Sequence, residues 1–341
     1  MNVISIQHIG KIIHEDIYSS SGVLLLRKRS PITAEHLLKL SKHDYYFHSS
    51  YLEEKESNYY KQKAETLYRD NADRCRMGFE KIQNNSEEAM LELTSALLPI
   101  IDNIMEDALF GRYLDEVKSY DNYTYVHSMN VGIYASVIGK VLGLSKNDIT
   151  LLGIMGILHD VGKLSIEKEI LSKPGKLSNS EWLRIKMHPT LGYQLLKTIP
   201  DIDPYILQGA LLHHEKLDGT GYPLGLKQEN IPYLVQVLSV ADVYDALSSE
   251  RSYRSKLSIF ETTKILMDEA KSNKLNIAIV KPYVRYLLSN YTRNNVILSS
   301  GEEAELIFIH EDEPHLPLIR IGDNFIDLRK NSSINIVDLA G

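Results

Sequence analysis

Five histidines and two aspartates, His127, His159, Asp160, His188, His213, His214 and Asp242, constrain this chain more than any other feature. Neutral imidazole nitrogen and anionic carboxylate oxygen together make a donor set suited to first-row divalent ions that keep positions open for water and substrate. Seven such groups exceed the needs of one ion, so the set implies two. A single interior histidine is ordinarily a hydrogen-bonded core residue. Seven buried polar side chains without a metal would leave many groups unsatisfied, which favours the metal reading of the whole set.

Local signals aim each donor from a helix. Ser145-Lys-Asn-Asp148 predicts a helix start, and residues 149–158 form an apolar run ending in His159-Asp160-Val161-Gly162, with Gly162 as the stop. Leu177-Ser-Asn-Ser-Glu181 predicts a second capping box whose helix runs to His188, where Pro189 bars simple continuation. Asp203-Pro204 predicts an N-cap and a first-position proline, leaving His213 and His214 in the last turn of that helix. His127 falls within a helix over about residues 123–142, and Asp242 within an apolar helix over about residues 234–247. The donors therefore come from at least five helices around one pocket, and the chain is expected to be mainly α.

In order along the chain stand His159-Asp160 with Gly162-Lys163, His188-Pro189, and His213-His214-Glu215 followed by Asp218-Gly-Thr-Gly221-Tyr222-Pro223. This succession resembles the HD-GYP family of the HD phosphohydrolase superfamily over roughly residues 100–290, with motifs in family order and at family-like gaps. The resemblance implies a helical HD-GYP bundle that binds two, sometimes three, metals and hydrolyses cyclic dinucleotides, chiefly cyclic di-GMP. By the same resemblance His127, His159, Asp160 and Asp242 match ligands common to the superfamily. His188, His213 and His214 match the additional ligands, and Asp160 bridges the ions. Members with a third metal carry a glutamate four residues before the first histidine; Tyr123 stands there instead, and a phenol with a pKa near ~10 is a poor ligand at neutral pH. Two divalent ions follow. Iron or manganese is what the resemblance implies, and the ligands alone also admit zinc, cobalt or nickel.

Phosphodiester hydrolysis needs a nucleophile at neutral pH and relief of charge on phosphate oxygens, and two ions supply both through an activated hydroxide. Asp160 and Lys163 are the expected catalytic residues: Lys163 resembles the family lysine that contacts the scissile phosphate, and its role would be electrostatic. Arg251 and Arg254 in Arg-Ser-Tyr-Arg match a stretch that usually reads Arg-Pro-Tyr-Arg, and are expected to bind phosphate through forked donors. Ser252 replaces the proline, which leaves that loop less rigid. Gly219 and Gly221 point to positive φ or close approach; with Tyr222 and Pro223 they would form one wall of the substrate pocket. Asp245, one turn beyond Asp242, and Glu215 are candidates to orient the ligands from behind. The plain alternatives are surface or salt-bridging roles for Lys163 and Arg251 and a solvated helix end for Glu215.

Outside this region the chain says less. Residues 1–51 predict a small mixed α/β module, with a β-like piece at 22–26 and a helix over about 34–40. Residues 52–99 predict a helical connector, with a homodimer stalk as the alternative; 100–297 are expected from the resemblance to form the HD-GYP domain, and 298–341 a short antiparallel β tail with period-two segments at 304–309, 316–321 and 334–337. A formal net charge of −7 argues against DNA or RNA polymers as partners. The lone cysteine, Cys75, and the lack of a membrane span or secretory pattern lead to the expectation of a cytoplasmic protein. The expected activity is hydrolysis of cyclic di-GMP, with linear pGpG or GMP as the final product. Alternatives are 3',3'-cyclic GMP-AMP as substrate, a catalytically weak cyclic-dinucleotide module signalling through an unknown protein partner, and a generic HD nucleotidase.

Overall fold

Short-range capping sets where the helices of this chain begin. The computed structural model describes residues 9, 11–13, 16–18, 24–28, 30–42, 55–84, 86–106, 110, 123–249, 256–331 and 333–340. Its first elements are β1 (Ile17–Tyr18), β2 (Leu24–Leu26), α1 (Ala34–Lys42), α2 (Lys55–Lys81), α3 (Ser86–Glu106), α4 (Tyr123–Val141) and α5 (Lys146–Leu158). There follow α6 (Lys168–Leu171), α7 (Asn179–Ile185), α8 (His188–Leu196), α9 (Pro204–Leu212), α10 (Tyr233–Ser248), α11 (Ile259–Lys271) and α12 (Ile277–Ser289). The chain closes with β3 (Asn295–Leu298), β4 (Glu303–Phe308), β5 (Leu318–Ile321), β6 (Asn324–Asp327) and β7 (Ile336–Leu339). Ser145 accepts the Asp148 N–H ahead of α5, Ser178 and Glu181 form a reciprocal capping box ahead of α7, and Asp203 accepts the Tyr205 N–H ahead of α9. These caps are the ones the sequence predicts.

Three local expectations change: α9 ends at Leu212 with His213 as its C-cap, so His214 lies beyond its last turn, and two further boundaries move near His188 and Gly162. Helix α7 ends at Ile185, and His188 opens α8 instead of closing the helix before it. Pro189 then lies in a first turn, where a missing N–H breaks no intrahelical bond. Gly162 is not a helix stop either, since it sits inside a 3-10 helix over Val161–Ser165. A Cβ at Gly162 would lie 2.0 Å from the His188 carbonyl oxygen and 2.4 Å from Gly192 N, so the residue permits close backbone approach between that turn and α8.

The chain divides into two compact units, one of residues 64–287 and the other of 1–63 with 288–341. In the first, residues 128–139 of α4 and most of α10 are buried, which makes them core helices with no solvent face. Helix α5 packs on α4, and α9, α10 and α3 pack on α5. Ala64, Tyr68, Asn71, Cys75 and Phe79 of α2 are buried at spacings of three and four residues, one face of a helix. Tyr68 Oη donates to Asn130 Oδ1 at 2.7 Å, tying α2 to α4 just beyond the turn that bears His127.

In the second unit, β1 and β2 pair antiparallel and, with α1, enclose Ile13, Ile17, Leu25, Leu26, Ile32 and Leu40. The C-terminal strands form one antiparallel sheet in the order β6-β5-β4-β3-β7. Val296, Leu298, Ala304, Leu306 and Ile319 supply its buried face. The mainly α architecture, with a small mixed N-terminal part and a C-terminal antiparallel sheet, agrees with expectation, and β3 and β6 extend the sheet beyond the three expected segments. Among the described residues no helix is long and apolar enough to cross a membrane.

Candidate metal centre

All seven sequence-predicted donors converge, although they come from distant parts of the chain. They form two groups, Asp160-His188-His213-His214 and His127-His159-Asp242, and within each group the donor atoms lie within 4.8 Å of one another. Asp160, at the junction of α5 and the 3-10 helix, faces both. Its Oδ1 is 3.1 Å from His188 Nε2 and 3.7 Å from His213 Nε2, while its Oδ2 is 3.4 Å from both His127 Nε2 and His159 Nε2. Asp242 Oδ1 is 3.3 Å from His127 Nε2 and its Oδ2 is 3.9 Å from His214 Nδ1.

Main-chain carbonyls decide which ring nitrogen faces inward. His159 Nδ1 donates to Gly156 O at 2.7 Å, His188 Nδ1 to Ile185 O at 2.8 Å, and His213 Nδ1 to Gly209 O at 3.0 Å. In each case a helical carbonyl takes the Nδ1 proton and leaves an Nε2 lone pair pointing into the cluster. His188 Nε2 and His213 Nε2 stand 3.2 Å apart, two lone pairs face to face. His159 Nε2 and Asp160 Oδ1 are buried without a hydrogen-bond partner. Orphaned acceptors at this density are unfavourable unless a cation lies among them, so the residues fit divalent metal ions.

Electrostatics point the same way. Burial, reinforced by the neighbouring histidines, holds His213 well below the usual imidazole range, and burial brings His214 down to about 3. Both rings are thus neutral donors at physiological pH. Burial works against charge on Asp160 and Asp242 too, yet Lys163 and His159 beside the first, and His127 and His159 beside the second, keep both well below the ordinary carboxylate range. His127 differs: burial opposes its protonation, but hydrogen bonds with Asp160, Asp242 and Asp245 raise it well above the usual value. Three carboxylates around one imidazole make the strongly negative field that a bound cation would neutralise.

Residues 103–279 match the HD domain family. The cyclic di-GMP phosphodiesterase PA4108 of Pseudomonas aeruginosa is 39% identical over 141 residues, which are 41% of this chain and 34% of that protein. The 3'3'-cGAMP-specific phosphodiesterase 3 of Vibrio cholerae is 34% identical over 203 residues, 58% of this chain and 43% of that protein. This chain belongs to the HD-GYP group of the HD domain family. It matches less than half the length of either relative. Among solved structures, Bd1817, a HDG"Y"P protein from Bdellovibrio bacteriovorus, shares the fold, with a TM-score of 0.54 over 84% of this chain and 98% of its own at 19% identity.

The remaining residues of this HD-GYP chain surround the cluster unevenly. Lys163 Nζ is in direct ion contact with Asp160 Oδ2. Asp245 Oδ2 accepts from His127 Nδ1 at 2.7 Å and so aims the opposite nitrogen at Asp160 and Asp242. Glu215 is buried, and its carboxylate accepts three main-chain N–H groups: Leu224 at 2.7 Å and Gly225 at 3.1 Å on Oε1, and Leu226 at 2.9 Å on Oε2. It pins the segment that follows Gly221-Tyr222-Pro223. Gly219 has φ +84°, and a Cβ on Gly221 would lie 2.3 Å from Lys216 N. Tyr222 lays its ring 4.7 Å from the His214 ring at 31°, and burial pushes its phenol above the ordinary range, so it stands as an O–H donor. Pro223 follows through a cis peptide bond. Arg251, Ser252 and Arg254 lie outside the described residues. Sequence reasoning missed Ser239, whose Oγ donates to His213 O at 2.8 Å, and Lys186, whose ammonium is 4.9 Å from the Tyr222 ring centroid. A lysine two residues before a donor histidine was the available signal for the second.

Proposed function

We propose that this chain is a metal-dependent phosphodiesterase that hydrolyses cyclic di-GMP to linear pGpG and then to GMP. The observation that carries the reading is Asp160, whose two oxygens each face a separate group of histidine nitrogens, an arrangement suited to bridging two ions. His127, His159 and Asp242 would hold one, His188, His213 and His214 the other, with iron or manganese the expected metals. When bound, such ions lower the pKa of water toward neutrality and withdraw charge from phosphate oxygens.

The side chains would do the rest. Lys163 holds its ammonium against Asp160, where it can pair with a nonbridging phosphate oxygen and stabilise the charge that develops there. Asp245 keeps the His127 ring in one orientation. Glu215 holds the loop after Pro223, and Tyr222 offers its O–H along the pocket wall. Arg251 and Arg254 are assigned to phosphate from the sequence alone.

Relatives named for cyclic di-GMP and for 3'3'-cGAMP both match, so the mixed dinucleotide is the second reading. The donors address phosphate and do not choose bases. The deciding experiment is anaerobic purification, metal quantification and separation of products from both substrates. Two metals per chain with faster turnover of cyclic di-GMP support the proposal; faster turnover of the mixed dinucleotide replaces the substrate, and a fully loaded protein inert to both refutes the activity.

A further inference from the structure

Helix α7 carries the chain's only tryptophan, Trp182, and leaves it 47% exposed. Tryptophan is among the more deeply buried side chains on average, so an exposed ring asks what covers it. Lys186, one turn further along the same face, holds its ammonium 5.8 Å from the Trp182 ring centroid and 4.9 Å from that of Tyr222. Tyr222 in turn lies against the His214 ring. A chain of π faces with one cation between them therefore leads from the donor cluster to an open indole.

A cyclic dinucleotide is larger than the phosphate to be cut. With one phosphate at the cluster, the second phosphate and its flanking base must lie toward the rim. A compact ammonium suits the former, and an exposed aromatic ring suits the latter by stacking. We propose that Trp182 and Lys186 form the subsite for the second nucleotide, Trp182 stacking on the purine and Lys186 pairing with the uncleaved phosphate. The subsite rests on the cyclic-dinucleotide reading above and deepens it. Stacking accepts guanine and adenine alike, because each presents a π face.

Since no other tryptophan is present, emission from Trp182 reports occupancy directly. Titrating the metal-loaded chain with cyclic di-GMP should quench that emission saturably, whereas inorganic phosphate and dimethyl phosphate, which present no aromatic ring, should not. Trp182→Ala should raise KM for cyclic di-GMP about tenfold with a much smaller change in kcat, and Trp182→Phe, which keeps a π face, should recover most of the loss. Lys186→Gln should weaken the quenching titration. Turnover of cyclic di-GMP with unchanged Trp182 emission, or with unchanged KM in Trp182→Ala, overturns the subsite and leaves the phosphodiesterase reading intact. Saturable quenching without turnover supports the subsite and overturns the catalytic reading instead.

Discussion

Replacing Glu215 by glutamine tests the loop geometry with the smallest change of shape. The carboxylate receives three main-chain donors, two on one oxygen and one on the other. In the variant, the amide oxygen can keep Leu224 and Gly225 as neutral hydrogen bonds, each weaker than its charged counterpart by about 1 kcal/mol. The amide nitrogen then faces the Leu226 N–H, donor against donor, which costs about 1–3 kcal/mol. Leu224 is 59% exposed, so water reaches part of the segment and the lower end applies, about 3 kcal/mol in all. The loss falls on the loop and not on the core helices. Hydrogen exchange of the Leu224, Gly225 and Leu226 amides should therefore speed up by roughly 140-fold, at about 1.4 kcal/mol per factor of ten. KM for phosphodiester substrate should rise as Tyr222 loses its position. Exchange within twofold of the wild-type rate at all three amides would refute the clamp.

Three further outcomes follow from the same coordinates. Asp160→Asn should lower bound metal to less than one ion per chain, because one residue serves both donor groups; metal analysis of the purified protein that returns the wild-type ratio would remove the bridging role. Tyr68→Phe leaves Asn130 Oδ1 buried without its donor and should destabilise the chain by about 1–2 kcal/mol in urea unfolding, an effect absent if water replaces the hydroxyl. Burial pushes the Cys75 thiol up to about 12, so thiolate, the reactive form, is scarce in mildly alkaline buffer. A disulfide reagent should find no thiol in the native chain and one after denaturation, and rapid native labelling would show that the residue is reached by solvent.

Helix starts at Ser145, Ser178 and Asp203 were legible because a cap is a contact over two or three residues, complete within the local sequence. The seven donors were legible for another reason: their residue types and order carry the chemistry before any distance is known. What the local pattern misjudged was continuity. Pro189 reads as a terminator next to α7, and only the packing of His188 and Gly192 against Gly162 reveals that a new helix begins there. Strands β3 (Asn-Val-Ile-Leu) and β6 (Asn-Phe-Ile-Asp) escaped because their apolar residues are adjacent and do not alternate with polar ones, and their pairing depends on partners already in the sheet. The sequence by itself thus determined the donor chemistry and most of the helices that bear it. Tertiary structure alone decided that Asp160 turns one oxygen to each histidine group, that Asp245 aims His127 across 118 residues, and that Glu215 ties down the loop beyond Pro223. Those relations depend on helix packing in three dimensions, and no short window of the chain contains both partners of the first two.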